Sequence, residues 1–301
     1  MSARLLTLLD LADECPELDE LTPFLTDTDP EVRRTALSVL SETTDAWAEA
    51  APIIAGALVD VDVDVRHTAI GLLTELLEVL VAGPEFDAAL RACVTAPEPA
   101  VRAAAIEALW RHRRVTATEL IGWLADPNVA VRRTVVGGLT SVDAIDGLAT
   151  AAADEDQNVR IGVAKGIAAV GDPRGAVTLL VLADDPEPLV RAAALASLAG
   201  TGCDEHAAAV AAAAMTDPTW QVRQAAAIAL AAADPELAAA PLLSAVADPN
   251  LDVRKAAVRA LAERIAERRD ITTALQQALD DPDADVRAFA RIGIANSGKE
   301  L

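Results

Sequence analysis

Tyrosine is absent from this chain, and aromatic residues make up only 2% of its 301 positions. Its four tryptophans, Trp47, Trp110, Trp123 and Trp220, are scattered. Histidine is nearly as scarce. His67, His112 and His206 each lack a second ligand three or four residues on, so no metal site is expected. The three cysteines, Cys15, Cys93 and Cys203, are far apart, odd in number and free of Cys-x-x-Cys spacing. That predicts a reducing, cytoplasmic setting without a disulfide framework. Long apolar runs are missing too. Leu5–Leu9 stops at Asp10, and no window approaches 18 apolar residues, so neither a secretory signal nor a membrane span is expected. Neither a Gly-x-x-x-x-Gly-Lys phosphate loop nor a Gly-x-Ser-x-Gly elbow occurs. The paired carboxylates that do occur sit in turns, where capping explains them. No enzyme activity and no cofactor are expected.

Positive charge is the other shortage. Against 47 acidic residues stand 25 basic ones, a net charge of −22. Residues 1–100 hold 20 acids and 5 bases (−15), 101–200 hold 12 and 10 (−2), and 201–301 hold 15 and 10 (−5). Such a field repels phosphate backbones and anionic lipid headgroups, so neither nucleic acid nor a membrane surface is an expected partner.

What the chain has in abundance is one phrase, a Val-Arg pair opening an Ala/Leu-rich stretch. The pairs end at Arg33, Arg66, Arg102, Arg132, Arg160, Arg191, Arg223, Arg254 and Arg287, at steps of 33, 36, 30, 28, 31, 32, 31 and 33. A period near thirty that covers the whole chain marks a solenoid of stacked units, each burying its apolar face on its neighbours. Repeat seven shows the unit. Residues 203–215 predict a first helix, and Asp217-Pro218 punctuates the chain. A second helix is predicted from Thr219 to about Ala232, with Val222, Ala226, Ala229 and Leu230 on one buried face. The Asp is expected to cap the new helix, and the Pro suits its first turn. Residues 2–13 predict a lone amphipathic helix covering the open edge of repeat one. The long step after repeat two predicts an extension of its second helix through Thr74–Leu80.

The run Asp248-Pro249-Asn250-Leu251-Asp252-Val253-Arg254-Lys255-Ala256-Ala257-Val258-Arg259-Ala260-Leu261 resembles a HEAT repeat, specifically the short HEAT-like type found in bilin-lyase-like proteins. Gly171-Asp172-Pro173-Arg174 is similar to a familiar turn of that family. Repeats two, three and five depart from the pattern at Val61-Asp62-Val63-Asp64, Pro97-Glu98-Pro99 and Asp154-Glu155-Asp156. The resemblance implies an all-α, right-handed superhelical solenoid. Its expected parts are an N-terminal cap helix (1–16), nine two-helix repeats (17–296) and a tail (297–301). It also implies that the nine motif arginines form a structural ladder, bonding to the Asp or to carbonyls of neighbouring repeats. No His-Glu pair is present for the di-iron branch of such proteins, and the basic, aromatic groove of their DNA-glycosylase branch is missing.

Second helices line the concave side of such arrays. If each motif Val faces the core, residues two and six positions later face that groove. Across repeats four to eight this gives Arg133, Gly137, Ile161, Lys165, Ala192, Ala196, Gln224, Ile228, Lys255 and Arg259. The floor is small and apolar, flanked by Arg133 and Lys165 at one end and by Lys255 and Arg259 at the other. A secondary candidate is the basic cluster Trp110, Arg111, Arg113 and Arg114, at the end of repeat three's second helix. The expected function is therefore non-catalytic protein binding, as a scaffold, adaptor or assembly chaperone. The expected partner is a helical or extended protein segment with acidic ends. The alternative is an accessory or lyase-like maturation factor for a tetrapyrrole or metalloprotein.

Overall fold

In the computed structural model, residues 2–264 and 269–297 are described; of the expected tail at 297–301, residues 298–301 lie outside them. The chain divides into two compact units, residues 1–142 and 143–301. All regular structure among the described residues is helical. The first unit holds α1 (Ala3–Ala12), α2 (Leu18–Leu25), α3 (Pro30–Thr43), α4 (Trp47–Gly56), α5 (Val63–Glu75), α6 (Pro84–Cys93), α7 (Pro99–Arg111), α8 (Ala117–Trp123) and α9 (Val129–Ser141). The second holds α10 (Ile145–Ala151), α11 (Gln157–Val170), α12 (Ala176–Leu182), α13 (Pro188–Thr201), α14 (Glu205–Ala214), α15 (Trp220–Ala231), α16 (Pro235–Ala245), α17 (Leu251–Ala262), α18 (Arg269–Ala278) and α19 (Ala284–Ser297). Each unit is a stack of helix pairs, the α-solenoid architecture. Second helices pack on one another in series, α3 on α5 on α7 on α9, and α11 on α13 on α15 on α17 on α19.

The stacking follows from one repeated face. Each motif Val is at most 1% exposed, and the residue four places on (Ala36, Ala69, Ala105, Val135, Val163, Ala194, Ala226, Ala257 or Ala290) is fully buried. A Leu or Ile eight places on completes the stripe in the first eight repeats, from Leu40 to Leu261. Positions 0, 4 and 8 lie nearly in line on a helix, and each fully buried Val or Leu contributes about 1.5–3 kcal/mol. The small residue in the middle lets neighbouring helices approach closely.

α1 begins at Ser2, whose hydroxyl accepts the Leu5 N–H at 3.2 Å. It lays Leu5 and Leu8 into the core and packs on α2 and α3. The expected extension of repeat two's second helix is not found. α5 stops at Glu75, and residues 76–80 fold into a turn, with the Leu80 N–H donating to the Leu76 carbonyl at 3.0 Å. Two causes are evident. Glu75 and Glu78 lie where the negative end of the helix dipole disfavours acids. The turn also carries Leu77 and Leu80 back into the core, at 8% and 4% exposure, so no docking edge projects.

Candidate functional site

The turn before each second helix is built on a fixed register. Six residues before the motif arginine stands an Asp in every repeat but the third, and four before it stands the helix N-cap. Asp126 lies six before Arg132, and Asn128, four before it, caps α9 through the Ala130 N–H at 2.9 Å. The Asp of Asp-Pro is therefore not the helix cap expected from the sequence. Its Oδ1 accepts the N–H two residues on instead, as Asp217 does from Thr219 at 2.7 Å and Asp248 from Asn250 at 2.7 Å. The first turn keeps the same register, but there the Asp-Pro is the cap itself, with Asp29 accepting the Glu31 N–H at 2.9 Å.

The remaining capacity of that Asp goes to the preceding repeat. Arg33 donates Nε and Nη2 to Asp60 at 2.8 and 2.6 Å, and Arg102 does the same to Asp126 at 2.7 Å each. In the second unit Arg160 binds Asp185 at 2.7 and 2.9 Å, and Arg223 binds Asp248 at 2.7 and 3.0 Å. Arg191 pairs with Asp217 and Arg254 with Asp281, both at 2.8 Å. Each guanidinium also sends Nη1 back to carbonyls of its own turn, as Arg223 does to Asp217 at 2.9 Å. Fork-to-fork pairing of this kind is charge-assisted and geometrically specific. The side chains of the Arg223–Asp248 pair are only 14% and 9% exposed.

Burial would raise the carboxyls of Asp60, Asp126, Asp185, Asp248 and Asp281. The bound guanidinium and the turn N–H outweigh it and hold all five below the ordinary aspartate value. The same pairing raises the guanidinium of Arg33, Arg102, Arg160, Arg223 and Arg254.

Two positions vary the scheme. Asp27 has no earlier motif arginine, and Arg4 of α1 takes that place, with Nε on Asp27 at 2.9 Å, Nη2 on the Pro23 carbonyl and the guanidinium 4.5 Å from the Phe24 ring centre. Sequence reading missed Arg4 because it lies outside the Val-Arg phrase. Arg66 meets Glu98, not an aspartate, at 2.8 Å. Like the other motif arginines, Arg132 and Arg287 send Nη1 to carbonyls of their own turns, Arg132 to Asp126 at 3.0 Å and Arg287 to Asp281 at 2.7 Å. Arg174, outside the ladder, pairs at 2.7 Å with its own turn's Asp172 and is 67% exposed.

The groove residues lie on the outward faces of their helices. Arg133 and Gly137 are exposed on α9 of the first unit. In the second unit Lys165 on α11, Ala196 on α13, and Ile228 and Arg259 on α15 and α17 are exposed, while Ile161, Ala192, Gln224 and Lys255 are half-buried. Gln224, Ile228, Lys255 and Arg259 share an open depression of about 410 Å³ with Phe289 of α19. Phe289 was not anticipated, since it lies three residues after its Val and the offset rule took only the second and sixth. Ile228 is 41% exposed there. Lys255 is not a free cation, because its Nζ sits 2.8 Å from Asp285 and 3.6 Å from Asp283. Arg259 has a loose pair with Glu263 at 3.7 Å.

The Trp110–Arg114 cluster is largely engaged within the first unit. Trp110 packs so closely over Gly138 that a Cβ there would lie 3.0 Å from the indole Cδ1 and 2.8 Å from Leu120. Arg111 stacks 5.0 Å from the Trp110 ring centre and bonds Glu107 at 3.2 Å. Arg114 holds Asp87 at 2.7 Å, and its carbonyl receives Arg91, which also pairs with Glu119. Arg113 is exposed at φ 56°, the left-handed residue that ends α7. His112 meets the Phe86 ring edge-on at 5.4 Å, and burial lowers its pKa. Among the described residues no group of three His, Cys, Asp or Glu could hold a metal, and no helix is long and apolar enough to cross a membrane.

Stacked helix pairs with arginine–carboxylate joints between successive pairs inside each unit define a repeat protein of the α-solenoid class. The HEAT-repeat pattern matches residues 18–110, 117–199 and 207–295, and the chain belongs to the HEAT-repeat family. The match is to HEAT repeats at large and does not extend to the narrower bilin-lyase-like type. The fold is similar to that of an engineered protein solved by the Northeast Structural Genomics Consortium, with TM-score 0.59 and 18% identity over 96% of this chain and 93% of that one. Comparison with curated proteins finds no match.

Proposed function

We propose that residues 17–296 act as one array of nine repeats and that the chain is a non-catalytic scaffold or adaptor. In this reading it binds a helical or extended segment of another cytoplasmic protein along the second helices of its C-terminal half. The observation that carries the proposal is the depression floored by Ile228 and Phe289. A solvent-facing Ile beside a half-buried Phe leaves apolar surface open in a concave site between second helices. Ala192 and Ala196 continue the floor on α13 without bulk, and Lys165 on α11 supplies a cation without an ion pair among the described residues. Apolar anchors supply most of the affinity in such an interface, and rim charges set register and association rate.

The test is a photocrosslinking residue placed at Ile228, with a control at Val177 of α12, which is 70% exposed. A partner that crosslinks from position 228, and is lost on Ala196→Glu with no change in melting temperature, is the expected result. Crosslinking from 177 and not from 228 would move the binding face to the first helices.

A further inference from the structure

The third repeat breaks the ladder's rule and leaves two hydrogen-bond donors over. In the rungs at Asp60, Asp126, Asp185, Asp248 and Asp281, one carboxylate oxygen, Oδ1, accepts twice. It takes Nη2 of the preceding motif arginine and the N–H two residues further on. At Asp126 these lengths are 2.7 Å from Arg102 and 2.8 Å from Asn128, and at Asp185 both are 2.9 Å, from Arg160 and Glu187. Six residues before Arg102, the place of that Asp is taken by Ala96. Arg66 therefore binds through Nε to Glu98 Oε2 and through Nη1 to the carbonyls of Asp60 and Val61. Its Nη2 and the Glu98 backbone N–H have no partner among the described residues. The Glu98 side chain does not replace the missing oxygen, because its Oε1 turns to His67 Nε2 at 2.9 Å.

The surroundings differ as well. Arg66 and Glu98 are 23% and 25% exposed, more open than either partner in any of the six Asp rungs from Arg33 to Arg254. Beside them lies a depression of about 300 Å³ walled by Leu58, Val59, Pro97 and Val101 and by Asp60, whose carboxylate is held by Arg33. We infer that this is a binding site for a carboxylate carrying an aliphatic group. One oxygen bridges Arg66 Nη2 and the Glu98 N–H, as Asp Oδ1 does in the other rungs, and the aliphatic group fills the depression. The neighbouring acid does not forbid it. Repeats one, two, five, six and nine hold carboxylates at both positions, as Asp27/Asp29, Asp60/Asp62, Asp154/Asp156, Asp185/Glu187 and Asp281/Asp283. A guanidinium can serve two carboxylates because its five donors fork in different directions. The site is independent of the second-helix face of the C-terminal half.

The experiment follows the Glu98 amide by ¹⁵N NMR of the full chain, titrating sodium isovalerate against sodium chloride at matched ionic strength. Expected is a saturating downfield shift of Glu98, with the already bonded amides of Asp62 and Asn128 unmoved. Ala96→Asp, which copies the other repeats, should give the bonded shift without ligand, abolish the response and raise the melting temperature. An equal response to chloride, or a response that survives Ala96→Asp, would overturn the site. Two capped dipeptides then identify the source, one ending in a free C-terminal valine and one amidated with a glutamate side chain. Binding of either supports the site and names its ligand. Isovalerate binding with neither peptide restricts it to small free carboxylates.

Discussion

Arg33, Arg102, Arg160, Arg191, Arg223 and Arg254 each divide the guanidinium between two repeats, Nη1 to carbonyls of the arginine's own turn and the Nε–Nη2 edge to the next turn's acid. The arginines were legible from their period, and so in principle was the acid six residues before all of them but Arg102. That register is masked by Pro, which stands five before the arginine in repeats three, four, six, seven, eight and nine, and three before it in repeats one, three and six. The acids carry a pH signature. Asp60, Asp126, Asp185, Asp248 and Asp281 have depressed folded-state pKa values, so their contribution is present above the unfolded aspartate value of about 3.9 and is lost as pH falls through the folded values. His112 adds a smaller, earlier step. Burial lowers its pKa, the unfolded chain binds its proton first, and stability falls as pH drops below the unfolded value of about 6.5. Melts from pH 7 to 3 should therefore show two losses. His112→Gln should remove the first and leave the second, and a single loss unaffected by that change would refute the assignment.

Among elements, the helix pairs of the described residues were readable because Val, Ala and Leu recur at helical spacing on a buried face. The end of α5 was not, because Thr74–Leu80 has good helix formers and the burial of Leu77 and Leu80, which weighs against them, is not visible in the chain. Depth of contact between helices is equally invisible in the chain. Gly293 on α19 lies so near α17 that a Cβ would meet the Ala262 Cα at 2.9 Å, while Gly71 on α5 has nothing within 4 Å. Alanine is the better helix former by about 1 kcal/mol. Gly71→Ala should therefore raise the urea midpoint. Gly293→Ala should lower it, because a backbone atom cannot swing aside as a side chain can. Two shifts of the same sign would show that propensity, not helix approach, governs both positions.

For the whole molecule, the net charge of −22 works against compactness, and more than half of it lies in residues 1–100. A repeat array answers such repulsion locally, since its stability is the sum of repeat terms and nearest-neighbour interface terms. The partly buried rungs act in the interface terms. Much of the candidate binding face was legible by counting from each Val, including Gln224, Ile228, Lys255 and Arg259. Phe289 and the Asp283–Asp285 grip on Lys255 needed the third dimension, because they bring residues of one repeat over the helix of another. The most direct test of the ladder is a double-mutant cycle at one joint, with Arg223→Gln, Asp248→Asn and the pair compared by urea unfolding. The amide that replaces the Asp248 carboxylate keeps an oxygen for the Asn250 N–H, so the cycle isolates the bond between repeats. A coupling of about 1–3 kcal/mol is predicted; strictly additive losses would contradict the ladder as the joint between repeats.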